Sequence, residues 1–115
     1  MAITIFHNPR CSKSRATLAL LQERGIEPEI RLYLDDPPSE TELRELLGLL
    51  GLSPRELMRK GEAEYKAQGL ADPDLDDGAL IRAMAGSPRL IERPIVLANG
   101  KAALGRPPES VLEIL

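Results

Sequence analysis

Strand-like segments occur at the two ends of this 115-residue sequence, and helical patterns fill the middle. Residues 2–6 are predicted to form a buried strand, residues 12–24 a helix with Gly25 as its C-cap, and residues 29–34 a second strand. A strand, a helix and a strand in succession favour a crossover that leaves the two strands parallel. The opening of the chain therefore requires a fold with a parallel strand pair and a helix beside it.

The end of the chain contains the strongest hairpin signal. Asn99-Gly100 separates the apolar segments 95–98 and 101–104, and this dipeptide favours a two-residue turn between antiparallel strands. Such a turn fixes the register, so that Ala98 pairs with Lys101 and the pairing continues outward from there. The sheet is therefore expected to contain both parallel and antiparallel neighbours.

The sequence changes character at Asp35-Asp36-Pro37-Pro38, and its signals are helical from about residue 36 to 91. Ser39 with Glu42 and Ser53 with Glu56 form two capping boxes, which are typical of helix N-termini. Sheet segments at both ends with a helical insert between them predict one α/β domain, residues 1–115. We expect a thioredoxin-like (glutaredoxin-like) sandwich with a mixed four-stranded sheet.

Composition excludes several classes of function. The formal net charge is −3 and only 3% of residues are aromatic, so neither a basic surface nor stacking side chains favour nucleic acid as a partner. No apolar stretch is long enough to span a membrane, and residues 1–6 lack the features of a signal peptide. One cysteine and one histidine make an internal disulfide impossible and a zinc site unexpected. We expect a cytoplasmic protein without a metal or a bound cofactor.

The single cysteine, Cys11, lies in the densest cationic stretch of the chain and directly before the first predicted helix. Cationic neighbours and a helix N-terminus lower the pKa of a thiol from about 8.5 to roughly 3.5–7.5. We therefore predict an activated thiolate at Cys11, tuned by Arg15, by His7 and by Ser14, which is expected to donate to the sulfur. The alternatives are an inert buried cysteine, a loop histidine and a solvated run of charges.

Two arginines meet across the predicted hairpin. Continued outward, its register places Arg93 opposite Arg106, and each is followed by proline. Like charges opposite each other are destabilising unless an anion lies between them, and guanidinium groups bind tetrahedral oxyanions in bidentate fashion. We expect the two side chains to converge on an oxyanion. Arg59 is a possible third member, although a cation at the end of a helix also stabilises the helix dipole.

A phosphatase loop is excluded, because the arginine of that motif follows its cysteine by a fixed spacing. Thr17 occupies the required position here, and Arg15 comes two residues too early.

Five segments carry a family resemblance in order along the whole chain. They are His-Asn-Pro-Arg-Cys-Ser-Lys-Ser-Arg at 7–15, Leu-Tyr-Leu at 32–34, Leu-Met-Arg-Lys at 57–60, Arg-Pro-Ile-Val at 93–96 and Gly-Arg-Pro-Pro-Glu at 105–109. Together they resemble the ArsC-type arsenate reductases, and in particular the short YfgD-type branch of that family.

The resemblance implies a thioredoxin-like fold and a reduction of arsenate to arsenite that uses glutathione as co-substrate and glutaredoxin as partner. It implies that Cys11 is the nucleophile and that the oxyanion ligands are Arg59, Arg93 and Arg106. It places His7 and Ser14 where the family tunes the thiol, and Pro94 where the family has a cis-proline.

Two other functions remain open from the sequence. One is a glutathione-linked thiol oxidoreductase that acts on another substrate. The other is a non-enzymatic regulator that binds RNA polymerase, similar to the Spx proteins of the same fold. Disulfide sensing of the Spx kind needs a second cysteine, and Ser14 stands at that position.

Overall fold

In the computed structural model, which describes residues 3–115, strands lie near the two ends of the chain and helices between them. The strands are β1 Thr4–Phe6, β2 Glu29–Arg31, β3 Ile95–Ala98 and β4 Lys101–Leu104. The α-helices are α1 Ser12–Glu23, α2 Glu40–Leu50, α3 Pro54–Leu57, α4 Ala63–Ala67 and α5 Asp77–Gly86. Short 3-10 helices cover Pro88–Leu90 and Pro108–Ile114. The predicted first strand began at Ala2, which lies outside the described residues.

The sheet has the strand order β2-β1-β3-β4 and is mixed, as predicted. Strands β1 and β2 are parallel, whereas β3 is antiparallel to both β1 and β4. The predicted hairpin register is confirmed, since Ala98 pairs with Lys101 and Leu97 with Ala102. Asn99 and Gly100 both have positive φ angles (56° and 72°), which is the turn geometry that this dipeptide favours.

Contacts within the chain divide it into two units. The sheet unit consists of the chain up to Asp36 and from Arg93 onward, and the helical unit is Pro37–Glu92. No helix in the part of the chain that the structure describes is long and apolar enough to cross a membrane.

The sheet unit has a small apolar core between β-strands, α1 and the C-terminal 3-10 helix. Its buried members are Ile5, Leu21, Val96, Ala98, Val111 and Ile114. Burial of each of the larger aliphatic side chains in this core stabilises the folded state by about 1.5–3 kcal/mol. The C-cap of α1 is Arg24 rather than the predicted Gly25. Gly25 follows it with φ +77°, and the N–H of Ile26 donates to the carbonyl of Leu21 at 3.0 Å.

The prediction for the second strand was wrong beyond Arg31. The N–H groups of Asp35 and Asp36 both donate to the carbonyl of Leu32, at 3.0 and 2.9 Å, and turn the chain away from the sheet. Leu32 and Leu34 are exposed, while Tyr33 between them is buried. The alternation of polar and apolar residues in the sequence therefore extends beyond the end of the strand and into this turn.

The helical unit forms as its capping signals predict. Both capping boxes are present, with the hydroxyls of Ser39 and Ser53 accepting from the N–H groups of Glu42 and Glu56. Helices α2 and α5 pack together through their buried residues Leu43, Leu46, Leu47, Leu80, Ile81 and Met84. An antiparallel bridge joins Met58 to Ile91.

Candidate active site

Cys11 caps the N-terminus of α1 and is nearly buried, with 8% of its surface exposed. Its backbone is extended (φ −97°, ψ 124°), so the chain turns into the helix immediately after it. The first N–H groups of a helix have no partners within the helix and attract negative charge. The sulfur is therefore presented to free donors of α1.

The pKa of Cys11 lies below its ordinary value, as predicted, because several donors outweigh the effect of burial. Burial of the sulfur raises the pKa, whereas the backbone N–H of Ser14, the positive charge of Arg93, the N–H of Lys13 and a hydrogen bond from the Arg93 guanidinium lower it. The side chain makes no capping hydrogen bond of ordinary geometry, which is consistent with a neutral thiol being a weak acceptor. These donors stabilise the thiolate form of Cys11 more than its neutral thiol, so they favour the thiolate.

Arg93 is the cation that contacts Cys11. It lies in the second chain segment of the sheet unit, far from Cys11 in the sequence. Its Nε and Nη1 atoms are buried and have no hydrogen-bond partner among the described residues. Buried donors are almost always paired in folded proteins. Because a guanidinium stays charged, this unsatisfied edge of Arg93 is a place where an anion would bind favourably.

Arg106 lies beside the backbone of Arg93, as the hairpin register requires. Its Nε donates to the carbonyl of Arg93 at 2.9 Å, and its side chain is exposed. The Arg93–Pro94 and Arg106–Pro107 bonds are both cis; the second of these was not anticipated. Convergence of the two guanidinium groups on one anion stays a prediction.

His7 and Ser14 form a buried pair next to the thiol loop. His7 Nδ1 and Ser14 Oγ are 2.6 Å apart, and the N–H of Asn8 donates to the same oxygen at 3.0 Å. The Ser14 group that stabilises the thiolate is therefore its backbone N–H, rather than the hydroxyl that the sequence suggested. The hydroxyl instead ties the loop before Cys11 to α1.

Arg15 acts on the loop and on His7. Its Nη1 donates to the carbonyl of Pro9 at 2.9 Å. Burial lowers the pKa of His7, and the charge of Arg15 lowers it further, so the imidazole is neutral near pH 7. The cation that lowers the pKa of Cys11 is Arg93, which sequence proximity had not indicated.

Arg59 belongs to the helical unit and follows α3 closely in the chain. Its N–H donates to the carbonyl of Leu90 at 2.6 Å, and its guanidinium forms an ion pair with Glu62. The guanidinium is thus held by a carboxylate of its own unit. Its predicted role as an oxyanion ligand stays a prediction.

Sequence reasoning missed Glu62 and Gly105. Glu62 follows Arg59 at the spacing of an (i, i+3) ion pair, which was a usable signal. A Cβ atom at Gly105 would lie 2.4 Å from Thr17 Oγ1 and 2.7 Å from Pro94 Cγ. Only glycine fits there, and this requirement depends on contacts between distant parts of the chain.

The arrangement combines a stabilised thiolate with an adjacent guanidinium that has unused donors. A thiolate is a nucleophile, and preorganised donors beside it stabilise negative oxygens of a bound substrate. Within residues 3–115 no group of three or more His, Cys, Asp or Glu side chains is arranged to hold a metal ion. The residues present are thus suited to nucleophilic attack on an anionic substrate.

Comparison with known proteins identifies relatives over the whole chain. The ArsC family profile matches residues 6–114. The protein YfgD of Escherichia coli (strain K12) is 60% identical over 98% of this chain and 96% of its own length. A protein named arsenate reductase from Neisseria meningitidis serogroup B is 58% identical over 98% of this chain and 97% of its own. A solved structure titled arsenate reductase from Vibrio cholerae superposes with a TM-score of 0.97 at 55% identity, covering 100% of this chain and 98% of that one.

Proposed function

The chain belongs to the ArsC family, and we propose that it is an arsenate reductase with Cys11 as its nucleophile. The observation that carries this proposal is the pair formed by the low-pKa thiol of Cys11 and the guanidinium of Arg93, whose Nε and Nη1 are buried without partners. A tetrahedral oxyanion supplies the acceptors that these donors lack. The names of the relatives from Neisseria meningitidis and Vibrio cholerae agree with arsenate as that oxyanion.

The first step forms a bond between sulfur and arsenic. The Cys11 thiolate attacks the arsenic of arsenate, one As–O bond breaks, and the leaving oxygen takes up a proton and departs as water. Arsenic remains in the +5 state. Arg93 holds the remaining negative oxygens, and because it is already in place, little reorganisation is needed during the reaction.

The second step reduces arsenic, with glutathione as the co-substrate. The glutathione thiolate attacks the Cys11 sulfur, an S–S bond forms, and the electron pair of the S–As bond stays on arsenic. Arsenic becomes +3 and leaves as arsenite, while the two thiols become a Cys11–glutathione disulfide. The chain contains one cysteine, so an external thiol must release it, and glutaredoxin is suited to this exchange.

The other site residues have supporting roles in this proposal. Arg106 and Arg59 are further ligands of the oxyanion oxygens, and Pro94 is the cis-proline beside the site. His7, Ser14 and Arg15 hold the loop that presents Cys11, through the contacts between Ser14 and His7 and between Arg15 and Pro9. We place the reaction in the cytoplasm, where thiols stay reduced.

The test is a coupled assay in which arsenate-dependent NADPH oxidation is followed with glutathione, glutaredoxin and glutathione reductase. We expect turnover with the native protein and none with Cys11→Ser. Arg93→Ala should lower kcat/KM by about 100-fold or more, and Arg93→Lys should also lower it, since lysine lacks the planar fork. Arg24→Ala is the matched control, because Arg24 lies in the same unit at the far end of α1.

Two results contradict the proposal. One is a folded native protein with no arsenate-dependent turnover. The other is turnover that survives in Cys11→Ser. Selenate, phosphate and low-molecular-weight disulfides in place of arsenate show whether a different substrate of a glutathione-linked oxidoreductase is used instead.

A further inference from the structure

A pocket of about 290 Å³ lies beside the loop that leads to Cys11, and all of its lining residues belong to the sheet unit. One wall is formed by residues 7–10, which follow β1, and the other by Leu32, Leu34 and Asp35, which follow β2. Strands β1 and β2 are parallel neighbours. The pocket therefore lies where two adjacent parallel strands end, and crevices at the carboxyl ends of parallel strands are the usual ligand sites of α/β sheets.

Backbone hydrogen bonds hold both walls in place. In the first wall the N–H of Arg10 donates to Oδ1 of Asn8 at 3.0 Å. In the second wall the N–H of Asp35 donates to the carbonyl of Leu32 at 3.0 Å. The volume is at the lower end of the range for small-molecule sites, and a ligand that enters a preformed pocket does not have to order its walls.

The pocket presents one cation and one anion, Arg10 and Asp35, next to the apolar side chains of Leu32 and Leu34. Both charged residues are exposed. Within residues 3–115 neither of their side chains takes part in an ion pair or a hydrogen bond, so both charges are available to a ligand. This set of groups matches a small molecule that has carboxylate and ammonium groups and some aliphatic surface.

Glutathione has these groups, and its length suits the position of the pocket. It is a tripeptide thiol with two carboxylates and one ammonium group. Consecutive Cα atoms are about 3.8 Å apart, so the Cα atoms of residues 8–10 lie within about 11 Å of that of Cys11. An extended tripeptide spans about 10 Å. A glutathione molecule whose thiol is at Cys11 is therefore long enough to extend into the pocket.

We propose that this pocket binds glutathione for the second step of the reaction. Arg10 binds one of its carboxylates, Asp35 binds its ammonium group, and Leu32 and Leu34 contact its aliphatic carbons. These contacts hold the tripeptide beside the loop that carries Cys11. This inference rests on the proposed function, in which glutathione is the co-substrate that reduces the arsenic bound to Cys11.

Arg10→Gln and Asp35→Asn test the two charged contacts, because each removes one charge and keeps a polar side chain of similar size. In the coupled assay each should raise the KM for glutathione about two- to fivefold, the usual effect of losing an exposed ion pair. The KM for arsenate should change by less than about twofold. Thermal melts establish that both variants are folded. An unchanged KM for glutathione in either variant overturns the proposal.

Arg24→Gln and Asp36→Asn are the matched controls. Arg24 is at the far end of α1, and Asp36 is next to Asp35 in the sequence but outside the pocket lining, where it pairs with Arg31 at 3.4 Å. We expect the KM for glutathione to stay close to that of the native protein in both. Increases equal to those in Arg10→Gln and Asp35→Asn would mean that only net charge matters, and would contradict the proposal.

A thiol without charged groups tests the same contacts from the side of the ligand. In the presence of arsenate, the rate at which Cys11 forms a mixed disulfide is followed by intact-protein mass spectrometry, with either glutathione or 2-mercaptoethanol below its KM. Arg10→Gln should slow the reaction with glutathione about two- to fivefold and leave that with 2-mercaptoethanol unchanged. Equal slowing with both thiols would show that the variant acts on Cys11 or on arsenate, and would overturn the proposal.

Binding of S-methylglutathione, which cannot form a disulfide, separates this inference from the proposed function. In an NMR titration we expect shifts of the backbone amides of Arg10 and Asp35, and a Kd about two- to fivefold higher in Arg10→Gln. If the protein reduces arsenate with glutathione but these amides do not shift, the pocket is wrong and the proposed function stands. If they shift but no arsenate is reduced, the pocket is a glutathione site and the proposed function is wrong.

Glutaredoxin is the other occupant that the assay distinguishes. If Arg10→Gln and Asp35→Asn raise the KM for glutaredoxin and leave that for glutathione unchanged, the pocket receives glutaredoxin, and the proposal is overturned.

Discussion

At the scale of single residues, the reactivity of Cys11 is the result of opposing effects. Burial of the sulfur raises its pKa, while two backbone N–H groups of α1 and the guanidinium of Arg93 lower it more. The backbone donors are a consequence of the helix and cannot be removed by a side-chain substitution. The contribution of Arg93 can be removed, and it is therefore the one to measure.

Arg93→Ala should raise the pKa of Cys11, because an adjacent positive charge favours the thiolate over the neutral thiol. The measurement is the rate of alkylation by iodoacetamide as a function of pH, since only the thiolate reacts. Arg24→Ala, which changes a charge at the other end of α1, should leave the profile unchanged. A profile for Arg93→Ala that matches the native protein would contradict the contact between Arg93 and the sulfur.

His7 should make the stability of the protein depend on pH below neutrality. Burial, and then the charge of Arg15, lower its pKa in the folded state, so the unfolded chain binds a proton at higher pH than the folded one. The stability due to neutral His7 is present above about pH 6.5, the unfolded value, and is lost as the pH falls below it.

The test compares urea unfolding of the native protein and His7→Asn at pH 7.5 and 5.5. Asparagine can replace the contact with Ser14 but does not titrate. For each pH unit below the pKa of His7 in the unfolded chain, the free energy of unfolding should fall by up to about 1.4 kcal/mol more in the native protein than in the variant. The carboxylates are common to both proteins and cancel in the difference. An identical loss in both proteins would show that His7 does not titrate differently on folding.

At the scale of elements, the end of β4 is packed closely against α1 and the loop before β3. Gly105 donates from its N–H to the carbonyl of Pro94 at 3.0 Å. Thr17 Oγ1, which donates to the carbonyl of Lys13 at 2.8 Å, occupies the space next to the Gly105 Cα. This packing sets the path of the chain between β4 and Arg106.

Gly105→Ala should destabilise the protein by about 1–3 kcal/mol, the usual cost of adding a methyl group to a filled space. Its Cβ would lie within 2.4 Å of Thr17 Oγ1, so α1 or β4 must shift, and we expect arsenate turnover to fall as well. Gly48→Ala is the matched control. Gly48 lies in α2 with nothing within 4 Å of the added Cβ, so this change should stabilise by about 0.5–1 kcal/mol. Equal effects in urea unfolding would contradict the packing argument.

Local signals explain why the helices and the hairpin were predictable. The capping boxes at Ser39 and Ser53 and the Asn99-Gly100 turn depend on residues within four positions of one another. The length of β2 was not predictable in this way. Its end depends on two hydrogen bonds to the carbonyl of Leu32, and the leucines on either side of Tyr33 continue the strand pattern into a turn.

At the scale of the whole molecule, the single cysteine determines how the catalytic cycle must end. The chain has no second thiol, so the Cys11–glutathione disulfide of the proposed mechanism cannot be resolved within one molecule. In the proposed mechanism the electrons therefore come from a thiol outside the protein.

Incubation with arsenate and glutathione, without glutaredoxin, should therefore convert the protein to a form that carries one glutathionyl group on Cys11. Addition of glutaredoxin should remove this group and restore the free thiol. Intact-protein mass spectrometry measures both steps, and omission of arsenate is the control. If reduction of arsenate continues through many cycles with neither glutaredoxin nor accumulation of the adduct, the proposed resolving step is wrong.

The sequence by itself determined most of the elements, the hairpin register and the candidate nucleophile, because each depends on neighbouring residues or on there being one cysteine. The hairpin register indicated Arg93 and Arg106 as candidate oxyanion ligands, and the family segments supported Arg59 as a third. Only the tertiary structure decided that Arg93, rather than nearby Arg15, lowers the pKa of Cys11, that Ser14 acts through its backbone, and that Glu62 holds Arg59. Electrostatic effects depend on distance in space, and folding brings residues that are far apart in the sequence within a few ångströms of one another.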